Sequence, residues 1–246
     1  MKAEILQKIS EEQITQIKEW LNNEQKKSNT GFYCNWNTIL RAIEANEVYC
    51  VSIKNQIAAF LIWNTYDLTI RINIAEVKPG MRRKGIGKFL VNSALEYFKA
   101  QGFMVADLEC NPPSSESFWR NMEFVDFPTI ENINVFEQGD VRLYKNLYPR
   151  SEITKALPSD EVIEIWQKEP IEVRRAGPDW TWVIKYKDEI GNLENPIIQP
   201  CKKDWKIRWR KGRDIYEDKK VKYFGGLDIC HGDFIIIQHL PPNNGK

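Results

Sequence analysis

Between residues 10 and 147 apolar side chains recur either every three to four residues or at every second position, and stretches of the two kinds follow one another along the chain. Ile14, Ile17 and Leu21 share one face behind Ser10 and Gln13, a capping-box pair that opens a helix. Ile39, Leu40 and Ile43 mark a second helix over 37–45. Residues 48–53 and 57–63 read as strands joined by Lys54, Asn55 and Gln56. Ile70, Ile72 and Ile74 alternate with Arg71 and Asn73 in a strand that ends at Val77, ahead of the turn residues Pro79 and Gly80. A long helix follows, with Ile86, Leu90, Ala94, Tyr97 and Phe98 at helical spacing and Gly102 in the left-handed position after its end. A first strand over 3–9, a strand over 103–110, a short helix over 115–121 and strands over 124–127 and 141–147 complete the set. Pro112 and Pro113 keep that short helix from starting early, and Ser114 is its expected cap. Gln138, Gly139 and Asp140 form the turn before the last strand. The predicted order is β, α, α, β, β, β, α, β, α, β, β.

Past residue 149 the texture changes, and two domains are expected, 1–149 and 150–246. Ser159 caps a predicted helix over 160–168, with Val162, Ile165 and Trp166 inward. Short strands are predicted at 171–174, 180–187, 205–211, 221–224 and 234–240. The punctuation between them lies at 188–192, Lys211-Gly212, Gly225-Gly226 and His231-Gly232-Asp233. That spacing suggests a small antiparallel sheet or barrel.

Composition narrows the class. Hydrophobic content of 42% and charged content of 28% over 246 residues are globular values, and a formal net charge of +1 sets up no global field toward nucleic acid or membrane. The longest apolar run, 57–63, falls far short of the roughly 20 residues a membrane helix needs, and the N-terminal residues lack a signal-type apolar segment. A cytoplasmic protein without membrane partners is expected. Five cysteines, odd in number and without a CxxC pair, argue against a disulfide framework or a zinc site, so no metal is expected. The two histidines, His231 and His239, read as structural or surface residues.

The candidate chemistry sits where the strand ending at Val77 passes through Arg82-Arg83-Lys84-Gly85-Ile86-Gly87-Lys88 into a helix N-terminus. First-turn N–H groups lack intrahelical partners and the helix dipole adds partial positive charge, which suits an anion. Gly85 and Gly87 would let the backbone approach a phosphate and take positive φ. By itself the segment is equally a surface loop with solvated cations. The spacing Val77-x-Pro79-x-x-Arg82-x-x-Gly85-x-Gly87 resembles the central acetyl-CoA motif of the GNAT family of N-acetyltransferases. Gln56-Ile57-Ala58-Ala59-Phe60 is similar to that family's third strand, and the segment from Asn111 through Phe118-Trp119 to Phe124 is similar to its later asparagine and aromatic pattern. Trp119 stands where many members carry tyrosine, and Glu123 where they carry glycine. The likeness spans about 1–149 and implies an α+β fold, a mixed, mostly antiparallel sheet flanked by helices.

The resemblance implies acetyl-CoA, or another short acyl-CoA, as co-substrate. Its pyrophosphate is expected on the N–H groups of Arg83, Lys84, Gly85, Ile86, Gly87 and Lys88, with Arg82, Arg83 and Lys84 as charge partners. The Val77 N–H would polarise the thioester carbonyl and Asn111 would contact the pantetheine. A primary amine of a small molecule or protein would be the acceptor. Glu76 is then the candidate base, directly or through a water, although neighbouring strand side chains point to opposite faces and it reads equally as a solvated charge. Trp119 cannot serve as an acid, because an indole N–H only donates a hydrogen bond. Either the thiolate leaves unassisted, or another group such as Tyr144 protonates it, or the domain binds acyl-CoA without fast turnover. Trp119 is otherwise simply a packed aromatic.

The run from Lys202 to Arg213, KKDWKIRWRKGR, interleaves aromatics with cations. Exposed tryptophans there would suit single-stranded nucleic acid. The alternation instead favours Trp205, Ile207 and Trp209 facing a core and Lys206, Arg208 and Arg210 facing water. Two functions emerge: an acyltransferase whose second domain helps choose or cover the acceptor, and an acyl-CoA-binding module joined to a nucleic-acid- or protein-binding domain.

Overall fold

The computed structural model describes residues 3–29, 31–127, 141–168, 170–224 and 233–241. After β1 (Ala3–Leu6), Ser10 caps α1 (Glu11–Ser28) with the reciprocal bonds of a capping box. A short connection leads to α2 (Trp36–Glu44), then to β2 (Val48–Ile53) and β3 (Gln56–Tyr66). Lys54 and Asn55 both take positive φ at that hairpin, at 51° and 62°, the geometry whose twist matches the flanking strands. β4 (Thr69–Val77), α3 (Ile86–Ala100) and β5 (Val105–Cys110) follow, and Gly102 sits at φ 88° after α3. α4 (Glu116–Asn121), β6 (Val125–Asp126) and β7 (Val141–Asn146) close this unit. The expected Ser114 cap is not made; a 3₁₀ turn over Pro113–Ser115 carries the chain into α4, and Ser115 flanks the helix without a side-chain cap.

The strands form one sheet in the order β1-β2-β3-β4-β5-β7-β6, antiparallel except where β4 and β5 run parallel. Alternation along β3 places helices on both faces. Phe60 and Ile62 pack with Ile17, Leu21 and Ile39 of α1 and α2, while Trp63 meets Phe98 of α3 at 5.0 Å between ring centroids. β4 pairs with β5 only from Thr69 to Ile72. Just beyond, Asn73 is an extra residue between the Trp63–Ile72 and Ile62–Ile74 pairs, a bulge that bends β4 where its pairing with β5 stops. The ends of two adjacent parallel strands are thereby left apart.

The chain folds as two compact units, Met1–Leu147 and Tyr148–Lys246. The second unit holds β8 (Glu161–Trp166), α5 (Pro170–Ala176), β9 (Trp180–Val183), β10 (Asn192–Pro200), β11 (Lys206–Lys211), β12 (Asp214–Lys220) and β13 (Phe234–His239). Its strands make an antiparallel sheet β12-β11-β8-β9 and an antiparallel pair β10-β13; among the described residues neither closes into a barrel. Two predicted elements exchange character here. The helix expected over 160–168 is the strand β8, because five of its six residues are buried and helical spacing was only one way to read Val162, Ile165 and Trp166. The strand expected over 171–174 is α5, followed by Gly177 at φ 79°. A 3₁₀ turn, Val221–Tyr223, replaces the strand expected at 221–224, and the pairing partner of β11 lies earlier, in β12. β10 escaped the pattern through Pro196 and Pro200, which an outer strand paired on one side accommodates. The turns expected at 138–140, 225–226 and 231–232, with His231, lie outside the described residues.

Candidate active site

Where β4 and β5 separate, a cavity of about 580 Å³ opens against the start of α3. The chain reaches it through Arg83 at φ 59° and Gly85 at φ 79°, the left-handed residue that flanks α3 without any side-chain cap. A Cβ at Gly85 would meet nothing within 4 Å, so this is an open cradle at an uncapped helix N-terminus. Gly87 serves differently from the expectation: its φ is not positive. It lies inside the first helical turn, where a Cβ would stand 3.4 Å from Val77 Cγ2 and 3.5 Å from the Phe118 ring, so close packing of α3 on β4 and α4 is what it permits.

The cavity wall brings together Glu76 and Val77 of β4, Arg82, Arg83 and Gly85 of the loop, and Gly87 and Lys88 of α3. Asn111 and Trp119 join from the far side. Three predicted residues turn their side chains elsewhere, which for Lys84 and Ile86 leaves the expected backbone N–H groups at the entry to α3. Lys84 turns back, its Nζ donating to Gly80 O at 2.9 Å. The Ile86 side chain is buried in the core. Tyr144, on β7, is buried with its ring 5.1 Å from that of Phe127 and does not line the cavity. The Trp119 indole is buried edge-on to Phe118 and Phe124, at 5.1 and 5.3 Å between centroids.

Arg82 ties the end of β4 to α1. Its Nε donates to Val77 O at 2.9 Å, and its Nη2 donates to Glu76 Oε1 at 2.9 Å and to Glu24 Oε1 at 2.6 Å. The Val77 N–H also donates to Glu76 Oε1, at 2.9 Å. Burial pushes the Glu76 carboxyl above its ordinary range; Arg82 opposes that, and the Glu24 charge adds to it. Sequence reading missed Glu24 and the cavity-lining Phe32. Neither carries a local signal: Glu24 is one of several acids on α1, and its partner lies 58 residues further on.

Residues 11–124 match the family model of the acetyltransferase (GNAT) family. This segment is a GNAT acetyltransferase domain. No curated protein matches the sequence. Similar solved structures include a PaiA N-acetyltransferase from Thermoplasma acidophilum in complex with coenzyme A, with 17% identity, a TM-score of 0.46 and coverage of 59% of this chain and 99% of that one. They also include a GNAT-family acetyltransferase from Staphylococcus aureus, with 19% identity, a TM-score of 0.49 and coverage of 60% and 100%. Ard1 from Thermoplasma volcanium is similar at 15% identity and a TM-score of 0.47, with coverage of 61% and 100%.

Outside the GNAT domain, the interleaved run on β11 takes the core arrangement. Trp205, Ile207 and Trp209 are buried, and Trp205 stacks on Trp180 at 5.2 Å with 12° between planes. Arg210 donates from Nε and Nη2 to Glu164 Oε1 at 3.0 and 2.6 Å, and Arg208 Nε donates to Asp218 Oδ2 at 2.8 Å. These tryptophans offer no stacking platform to a nucleic acid. His239 Nε2 lies 2.8 Å from Ile190 O. No helix among the described residues is long and apolar enough to cross a membrane.

Proposed function

We propose that the GNAT domain is an acetyl-CoA-dependent N-acetyltransferase acting on a primary amine. The observation that carries this is the open cradle at Gly85, an uncapped helix N-terminus beside two separated parallel strands. A pyrophosphate fits those N–H donors, with Arg83 and Lys88 lining the same wall. The unpaired edge of β4 beyond Asn73 and the Asn111 side chain then hold the extended pantetheine. Acetyl-CoA supplies an activated thioester and a thiol leaving group whose pKa, about 8.5 for a free thiol, lets it depart without a protein acid. Trp119 and Tyr144 therefore have no proton to deliver, the first by chemistry and the second by position.

Glu76 is the proton acceptor in this reading. Its bonds to Val77 and Arg82 both fall on Oε1, which presents Oε2 to an incoming ammonium. Val77 N–H acts as the oxyanion donor once the Glu76 carboxylate moves off it, while Arg82 Nη2 keeps hold of that carboxylate. Thiol release from acetyl-CoA with a pooled panel of small amines and peptides tests the proposal. Amine-dependent release is expected, falling about a hundredfold in Glu76→Gln at neutral pH. Absence of release with every amine contradicts it.

A further inference from the structure

Arg82 serves two carboxylates with one nitrogen. Glu24 Oε1 and Glu76 Oε1 lie 2.6 and 2.9 Å from the same Nη2, and both side chains are largely buried, at 11% and 14% exposure. Glu24 is itself fixed: Trp20 Nε1 donates to its Oε2 at 3.3 Å, and its side chain packs where a Cβ on Gly31 would stand, 3.5 Å away. The arrangement links α1 to the loop that enters the cradle. Nothing in the phosphate-binding geometry requires that link, because Arg82 Nε already holds Val77 O.

We propose that Glu24 is a positioning residue for the acyl-transfer site: by sharing the Arg82 guanidinium with Glu76, it keeps that guanidinium from pairing with Glu76 alone. The inference rests on Glu76 being the proton acceptor. A carboxylate with exclusive use of a guanidinium is a weak base, since the cation favours its charged form. A competing carboxylate draws part of that hydrogen bonding away and adds like charge, so Glu76 holds a proton more readily while staying oriented. The other groups around Glu76 do not substitute for Glu24. β3 presents only Ala58, Ala59 and Phe60 opposite the end of β4, Lys78 lies two residues along, and Arg83, Lys88 and Glu109 line the cavity. The charges that bear most on Glu76 are those of Arg82 and Glu24.

The experiment is a carboxyl-carbon NMR titration of the full chain labelled at glutamate side chains, with the Glu76 signal assigned by its loss in Glu76→Gln. In Glu24→Gln the Glu76 midpoint is expected to fall, and in Glu24→Asp, which keeps the charge, to return toward the wild-type value. Thiol release by Glu24→Gln at neutral pH is expected to fall several-fold, with Glu24→Asp recovering part of it. A Glu76 midpoint that stays or rises in Glu24→Gln overturns the proposal whatever the activity. A fallen midpoint with unchanged turnover overturns the positioning role. Failure of the underlying reading shows itself separately, as turnover that survives in Glu76→Gln.

Discussion

Burial raises the proton affinity of Glu76, Arg82 offsets part of the effect, and Glu24 adds to it. The fold therefore holds this proton more tightly than the unfolded chain does. The resulting stabilisation is fully present below the ordinary carboxyl value of 4.5 and is lost as pH rises through the raised value in the fold. Glu76→Gln removes that dependence. Its urea midpoint, taken relative to wild type, is expected to improve as pH is raised above 4.5; a difference that stays constant contradicts burial as the dominant cause. At this scale the sequence was readable wherever a residue type answers a local geometry. Gly85 takes the left-handed angle that its place in the motif demands, and Ser10 caps α1 as its spacing to Gln13 requires. It was unreadable where the partner is remote, as with Glu24 and Arg82. It misled at Gly87, where small size serves packing against Phe118 and not backbone conformation.

β8 and α5 show what decides an element when the apolar period is ambiguous. Glu161–Trp166 is buried on both faces, so it has no polar side from which to read a period of two. Pro170 at the first helical position, Glu172 in the first turn, Arg174 and Arg175 in the last and Gly177 beyond it are all helix signals, and they outweigh the strand propensity of Ile171 and Val173. Placing β8 in the middle of its sheet has an energetic consequence. Glu164 is 5% exposed and accepts twice from Arg210, and Arg208 Nη1 lies 3.7 Å from its other oxygen. Removing this carboxylate takes away the anion that the half-buried Arg210 guanidinium pairs with, while Arg208 keeps Asp218. Glu164→Ala is expected to cost about 1–3 kcal/mol, read from urea unfolding followed by tryptophan fluorescence. A loss under about 0.5 kcal/mol would contradict the pairing as a structural anchor.

Over the whole molecule, legibility follows the reach of the contacts. In the first unit cap, hairpin, alternating strand, glycine loop and helix each announce themselves within a few residues, and they agree with one another. In the second, β8 pairs with β11 across more than forty residues and β10 with β13 across a similar distance, so local pattern left the order of strands open. The acceptor is a further step removed, because one fold carries many chemistries. The central claim is that the Gly85 cradle binds acetyl-CoA, and calorimetric titration of acetyl-CoA into the full chain and into Gly85→Glu tests it directly. The new side chain meets no protein atom near its Cβ, and its left-handed backbone costs about 1–2 kcal/mol, so the variant remains folded with a carboxylate where the pyrophosphate belongs. Saturable binding to the wild type, weakened at least about tenfold in Gly85→Glu, is the predicted result. No binding to the wild type, or equal binding to both, would contradict it.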